Sequence, residues 1–381
     1  MHTPREGIHE KIAVFDFASL YPSITITHNI SPETLGCSCC KGKNEVPEQG
    51  HHYCTQKQGF ITRVLEDLVS KRSELKKKIK YVRIESAKKA LENRQYALKI
   101  LANASYGYYA YPGSRWYSKV CAESITALGR MYIKNVIRLA QDDGHWVIYG
   151  DTDSLFLRMN QNQIPEFLEK VNATLPGVME LDFKGFYPSG IFVLSKEGVA
   201  AKKRYALLDK KGKLLIRGFE RVRRDWSAIA KDTQEQVLLT VLRDKNPEKA
   251  VRIVRQRIRQ LQEGKVPLED LIIYTQLTKP LQEYEQIGPH VRVAQKIIER
   301  GGQVRVGTTM SYIITKGQGS ISERAEPADE AKEYDPEYYI NNQVLPAAMR
   351  ILAGLGYKEA DFLQERGGQP TLKHYMKSGR G

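Results

Sequence analysis

Apolar and polar positions alternate along this chain with two periods, and the switches between them mark its elements. Trp146-Val147-Ile148 and Leu155-Phe156-Leu157 are short apolar runs that predict strands, and Tyr149-Gly150-Asp151-Thr152-Asp153-Ser154 between them predicts a tight hairpin turn. Residues 12 to 17 form another strand signal, which contains a single acid, Asp16. Ala18-Ser19-Leu20-Tyr21-Pro22-Ser23-Ile24 then turns toward a helix. Residues 60 to 105 have helical spacing and predict two long helices broken near 81 to 86, and residues 118 to 141 predict a third. From 179 to 194 the pattern alternates again, a strand with Glu180, Asp182 and Lys184 on one face. Residues 201 to 206 predict a basic strand with one aromatic. From Ser227 to Arg300 the period is helical, with breaks at Pro247, Gly264 and Pro267.

Composition narrows the classes. The chain has 381 residues, enough for two or three domains, and a formal net charge of +15. That charge favours a polyanionic partner, nucleic acid before an anionic membrane. No apolar run approaches the ~18 residues that span a bilayer, and no signal peptide opens the chain. No membrane partner is expected, and the expected location is cytoplasmic, associated with the nucleoid. Four of the five cysteines fall between residues 37 and 54, which argues against a secreted disulfide framework.

The polar residues suggest chemistry. The hairpin turn brings Asp151 and Asp153 together, and two such carboxylates repel unless a cation separates them. An acidic surface turn is the plain alternative for an isolated Asp-x-Asp. Asp16, ending an apolar strand before a run of backbone amides, adds a third acid suited to two-metal phosphoryl chemistry. Arg72 and Lys76 share a helix face, as do Lys99 and Asn103; facing each other, the two sets would clamp a triphosphate. Lys77, Lys78 and Lys80 read as a solvated face. Cys37-x-x-Cys40 followed by His51-x-x-Cys54 has zinc-knuckle spacing, with Cys39 and His52 as spare ligands. Unligated thiols are the alternative.

Three of these stretches carry a family resemblance. Asp16 to Ile24 resembles motif A of family B DNA polymerases, Asn103-Ala104-Ser105-Tyr106-Gly107 their motif B, and Tyr149 to Ser154 their motif C. The likeness covers nearly the whole chain and is nearest to archaeal replicative enzymes. It implies an α+β right hand: an antiparallel palm sheet with helices, helical fingers and a mainly helical thumb. The expected domains are palm at 1–59 with a Cys/His insertion, fingers at 60–105, palm at 106–225, thumb at 226–368 and a tail at 369–381.

The resemblance also implies roles. Asp16, Asp151 and Asp153 would be catalytic, and with the Phe17 carbonyl would hold two Mg2+ ions. Ser19, Leu20, Tyr21, Arg72, Lys76, Lys99 and Asn103 would bind the incoming dNTP, with Tyr21 as steric gate against a 2′-hydroxyl. Tyr106, Gly107, Lys202, Lys203, Tyr205, Arg217 and Arg223 would contact primer-template DNA. Gln369, Leu372, Tyr375 and Met376 match a sliding-clamp peptide. In related archaeal enzymes the cysteine region often carries a disulfide, so a Cys40–Cys54 bridge competes with zinc at Cys37, Cys40, His51 and Cys54. Lys184 stands where a second acid is usual.

Family members carry an N-terminal domain and a 3′–5′ exonuclease upstream of motif A, and no exonuclease motif is found here. The expectation is therefore half of a split polymerase that works with a larger chain bearing those domains. A non-catalytic scaffold for DNA and clamp is the rival reading. A two-metal nuclease is weaker, because no His or Lys that could activate a nucleophile accompanies the acids.

Overall fold

The computed structural model describes residues 2–194 and 200–363, which form two compact units. The first takes residues 2–4 and 11–186, the second 5–10 and 187–363.

In the first unit, β1 (Gly7–Phe17) lies between β3 (Ser154–Arg158) and β4 (Leu181–Leu194). It leads into α1 (Leu20–Thr27), a loop, and the long helices α2 (Phe60–Ile79) and α3 (Glu85–Ala110). Helix α4 (Lys119–Asp142), the hairpin β2 (Trp146–Asp151) and β3 (Ser154–Arg158), α5 (Ile164–Thr174) and β4 (Leu181–Leu194) follow. The expected helix break at 81 to 86 is present, between Ile79 and Glu85. Ser118 caps α4 by accepting the Cys121 amide at 3.3 Å. One stripe of α4, including Ile125, Leu128, Tyr132, Ile133, Val136 and Ile137, is buried at i, i+3 and i+4 spacing. It packs into a core with Phe15, Leu155, Leu157 and Phe167. Helices α2 and α3 bury little: Thr62, Leu65 and Leu75 on one, Ala102 and Tyr109 on the other.

In the second unit, β4, β5 (Ala200–Leu208) and β6 (Leu214–Arg217) pair in that order and antiparallel. Helices α6 (Ala228–Leu242) and α7 (Pro247–Gln262) follow, the latter capped by Asn246 with Pro247 in its first turn. The helical expectation for 227 to 300 misses a strand. A three-stranded antiparallel sheet forms from β7 (Ile273–Gln276), β8 (Thr309–Ile314) and β9 (Ala325–Pro327), with α8 (Pro289–Glu299) between the first two. Four residues are too few for a pattern, and β7 is stable only because β8 pairs with it from more than thirty residues away. The unit closes with α9 (Pro336–Tyr339), a π-helical segment, α10 (Leu345–Leu352) and α11 (Ala360–Leu363). Its core holds a buried acid, Glu220, which accepts from Gln234 at 2.7 Å and from Arg350 at 3.3 Å. The α+β class stands. No helix among the described residues is long and apolar enough to cross a membrane.

Candidate active site

Strand register assembles the acids. Asp16 and Asp151 both pair with Ser154, from opposite sides of β3. Thr152 takes a left-handed φ of 50°, and the Asp153 amide donates to the Asp151 carbonyl at 2.6 Å, so the turn is tight. The Phe17 amide donates to the Asp153 carbonyl at 2.8 Å, which ties the turn to the end of β1. Asp151 is buried, with 7% exposure, and is not among the residues lining the adjacent cavity. Asp16 and Asp153 do line it, so the pair facing the open space is Asp16 and Asp153, with Asp151 set into the strand end.

The cavity holds about 290 Å³ and is walled by both groups of residues singled out in the sequence. Phe17, Ala18, Ser19, Leu20, Tyr21 and Pro22 form the side contributed by the start of α1. First-turn amides there have no intrahelical acceptor, which suits an anion. Arg72 and Lys76 of α2 and Lys99 of α3 bring the cations, and Asn103 of α3 adds a neutral amide. Arg72 is steered by the Gln95 side-chain oxygen at 3.3 Å and the Ser19 hydroxyl at 3.5 Å. Gln95 was legible only as a neighbour of the α3 face; its acceptor role needed the helix pairing. Tyr21 packs against Tyr106, ring centroids 4.8 Å apart.

Two further side chains of β4 complete the wall, Asp182 and Lys184. The Lys184 ammonium lies 3.0 Å from Asp182 and 4.0 Å from Asp16. Burial and then the charge of Asp153 push the Asp16 carboxyl up to about 6, against the opposing pull of Lys184 and Lys99. An Asp16 carboxyl held up in this way gains from a cation placed beside it. The donor set of hard oxygens, Asp16, Asp153, Asp151 and the Phe17 carbonyl, fits Mg2+.

The residues expected to touch DNA fall into two groups. In the first unit, Tyr106 lies beside Tyr21, and apart from its chain neighbours and its own helix backbone nothing among the described residues would come within 4 Å of a Cβ at Gly107. In the second unit, Lys202 and Lys203 are exposed on β5, Tyr205 stacks on Phe192 at 5.4 Å, and Arg217 is exposed at the end of β6. Gly218 has φ 69°, and a Cβ there would meet the Lys203 carbonyl at 2.4 Å, so only glycine allows this crossing. Arg223 forms a two-point pair with Asp225, at 2.5 and 3.0 Å, which neutralises much of the charge expected to meet phosphate. Gln369, Leu372, Tyr375 and Met376 lie outside the described residues.

The cysteine expectation needs correcting. The sulfurs that come together are those of Cys37, Cys39, Cys40 and Cys54; His51 is not in the group. A single 3₁₀ turn spans Ser38–Cys40, and the Cys39 sulfur lies 3.6 Å from those of Cys40 and Cys54. His51 sits on the opposing arm, where its carbonyl accepts the Val46 amide and the next residue, His52, bonds the Cys37 carbonyl at 2.7 Å. All five cysteines are free, so the Cys40–Cys54 bridge implied by the resemblance is not formed.

Comparison with known proteins points to one family. The family model for DNA polymerase family B matches residues 2–355. A DNA polymerase of Thermococcus sp. (strain 9oN-7) is 46% identical over 98% of this chain and 49% of its own length. The DNA polymerase of Archaeoglobus fulgidus is 40% identical over 94% of this chain and 47% of its own. Among solved structures, the family B DNA polymerase from Pyrobaculum calidifontis superposes with a TM-score of 0.71 at 37% identity, over 94% of this chain and 47% of that one. The chain thus spans about half the length of the relatives it matches. Its sequence and its fold agree, and the chain belongs to DNA polymerase family B.

Proposed function

We propose that this chain carries the nucleotidyl-transfer site of a DNA-directed DNA polymerase in DNA replication, extending a primer 3′-hydroxyl with dNTPs. One observation carries the reading: Asp16 and Asp153 open onto the same cavity as Arg72, Lys76, Lys99, Asn103 and Tyr21. Two Mg2+ ions held by Asp16, Asp153, Asp151 and the Phe17 carbonyl would supply hydroxyl activation and neutralise charge on the leaving pyrophosphate. The chain's own groups do the rest. Arg72, Lys76 and Lys99 bind triphosphate oxygens, and the α1 amides at Leu20 and Tyr21, beside the Ser19 hydroxyl, meet the same anion. Asn103 orients the nucleotide, and the Tyr21 ring fills the space a 2′-hydroxyl would need. Tyr106 and Gly107 leave room beneath the nascent pair, while Lys202, Lys203, Tyr205 and Arg217 position the duplex through its backbone.

The palm (1–59 and 106–225), fingers (60–105) and thumb (226–368) division belongs to this proposal, as does a clamp-binding tail at 369–381. So does a larger chain bearing the N-terminal and exonuclease domains. Association with the nucleoid follows from DNA binding. The rival scaffold reading is disfavoured by the acids, since DNA and clamp binding need no carboxylates facing a cationic cavity.

The test is primer extension by the chain together with a polypeptide matching the relatives' other half. Asp16→Ala, Asp153→Ala and Asp151→Ala should each abolish extension while leaving duplex affinity nearly intact. Extension by the Asp153→Ala protein above a contaminant control would exclude the assignment. Deleting 369–381 should remove only stimulation by a sliding clamp. Full, unassisted activity of the isolated chain would exclude the two-chain arrangement.

A further inference from the structure

We propose that Cys37, Cys39, Cys40 and Cys54 bind one structural zinc ion, at a site separate from the acidic cavity. The four sulfurs lie within 4.8 Å of one another. Zinc holds thiolates at about 2.3 Å, so a tetrahedral site sets its sulfurs about 3.8 Å apart. The Cys39–Cys40 and Cys39–Cys54 pairs stand at 3.6 Å and Cys40–Cys54 at 3.9 Å, close to that edge length. They are far longer than the ~2.05 Å of a disulfide. Four thiols gathered at this spacing around one point suit a single ion, and tetrahedral all-sulfur sites select zinc or iron.

A second observation concerns the backbone. The Thr55 amide donates to the Cys40 sulfur and the Lys57 amide to the Cys54 sulfur, each at 3.3 Å. Amides aimed at sulfur stabilise thiolate charge, as outer-shell donors do around metal-bound cysteines. The Thr55 hydroxyl is also 3.3 Å from the Cys40 sulfur.

The site is built into the first unit where two functional helices meet. Asn29, just beyond α1, donates to the carbonyls of Cys54 at 2.6 Å and Lys57 at 2.7 Å. Its side-chain oxygen accepts the amide of Gly59, the residue before α2, at 2.7 Å. A metal fixing Cys54 therefore fixes the junction between the helix with Tyr21 and the helix with Arg72 and Lys76.

The test is elemental analysis and cobalt(II) substitution of the full chain purified under reducing conditions, beside Cys39→Ser, Cys54→Ser and His51→Ala. About one zinc per chain and a tetrahedral thiolate–cobalt spectrum are expected. Cys39→Ser and Cys54→Ser should lose most of the bound metal and melt at lower temperature, while His51→Ala retains both. Cys39 is exposed and Cys54 buried, so Cys39→Ser disturbs packing less, and the cobalt titration of the unsubstituted chain decides the matter if a variant does not fold. Metal-free protein with no cobalt–thiolate band overturns the site, as does iron in place of zinc or a disulfide among these cysteines by mass analysis. Retention by Cys39→Ser with loss by His51→Ala overturns the ligand set. None of these readouts depends on primer extension, so the zinc and polymerase proposals stand or fall separately.

Discussion

Lys184 is the residue at which this site departs most from an all-acid rim. Its ammonium sits 3.0 Å from Asp182 and 4.0 Å from Asp16, where it offsets carboxylate charge without a metal. At about 4 Å in a solvated site, one unit charge alters an ion's binding by roughly 1 kcal/mol, about fivefold. Lys184→Glu should therefore lower the Mg2+ concentration for half-maximal extension by about fivefold or more and raise KM for dNTP. Unchanged values in a magnesium titration would make Lys184 a bystander. Tyr21 allows a different test, because its ring both lines the cavity and leans on Tyr106. Tyr21→Ala should increase ribonucleotide incorporation at least tenfold relative to deoxynucleotide, an effect of about 1.4 kcal/mol. Single-nucleotide kinetics with equal ribo/deoxy selectivity in both proteins would remove the gate role.

Among the elements, α2 and α3 were legible because each repeats a basic face over several turns, and their break at 81 to 86 appears where expected. What the periodicity did not convey is that they bury so little, Thr62, Leu65 and Leu75 on one and Ala102 and Tyr109 on the other. The strand β7 was missed for the opposite reason, since it has no pattern of its own and exists through β8. Buried polar contacts between distant elements were equally hidden. Glu220 follows β6, Gln234 belongs to α6 and Arg350 to α10, and only folding brings them together. Arg350→Ala leaves Glu220 buried with one neutral partner and should destabilise the second unit by about 3–5 kcal/mol. Arg350→Ala with Glu220→Gln should recover part of that loss. Chemical denaturation of the three proteins checks both, and an unchanged midpoint for the single variant would show the pair to be dispensable.

For the whole molecule, the net charge of +15 suits a polyanionic partner, and under the proposed function it governs the salt dependence of duplex binding. Affinity for duplex should fall linearly on a log–log plot against salt, each neutralised phosphate contributing a slope of about 0.9. Lys202→Ala should reduce that slope by about 1, whereas Arg223→Ala should change it less, because Arg223 is already paired with Asp225. Equal slopes for Lys202→Ala and the unsubstituted protein would remove Lys202 from the interface. The acidic positions, the cationic helix faces and the family were all readable from the chain, because each is a local run of residues whose chemistry depends on near neighbours. Which of Asp16, Asp151 and Asp153 face the cavity was not readable, since that depends on the register of β1 and β2 against β3 and on the twist of one turn at Thr152. Nor was the choice of Cys39 over His51. Ligand spacing along a chain limits which residues can meet, but direction is set by the 3₁₀ turn and the opposing arm, whose backbone hydrogen bonds hold three cysteines of one segment against the single cysteine of another.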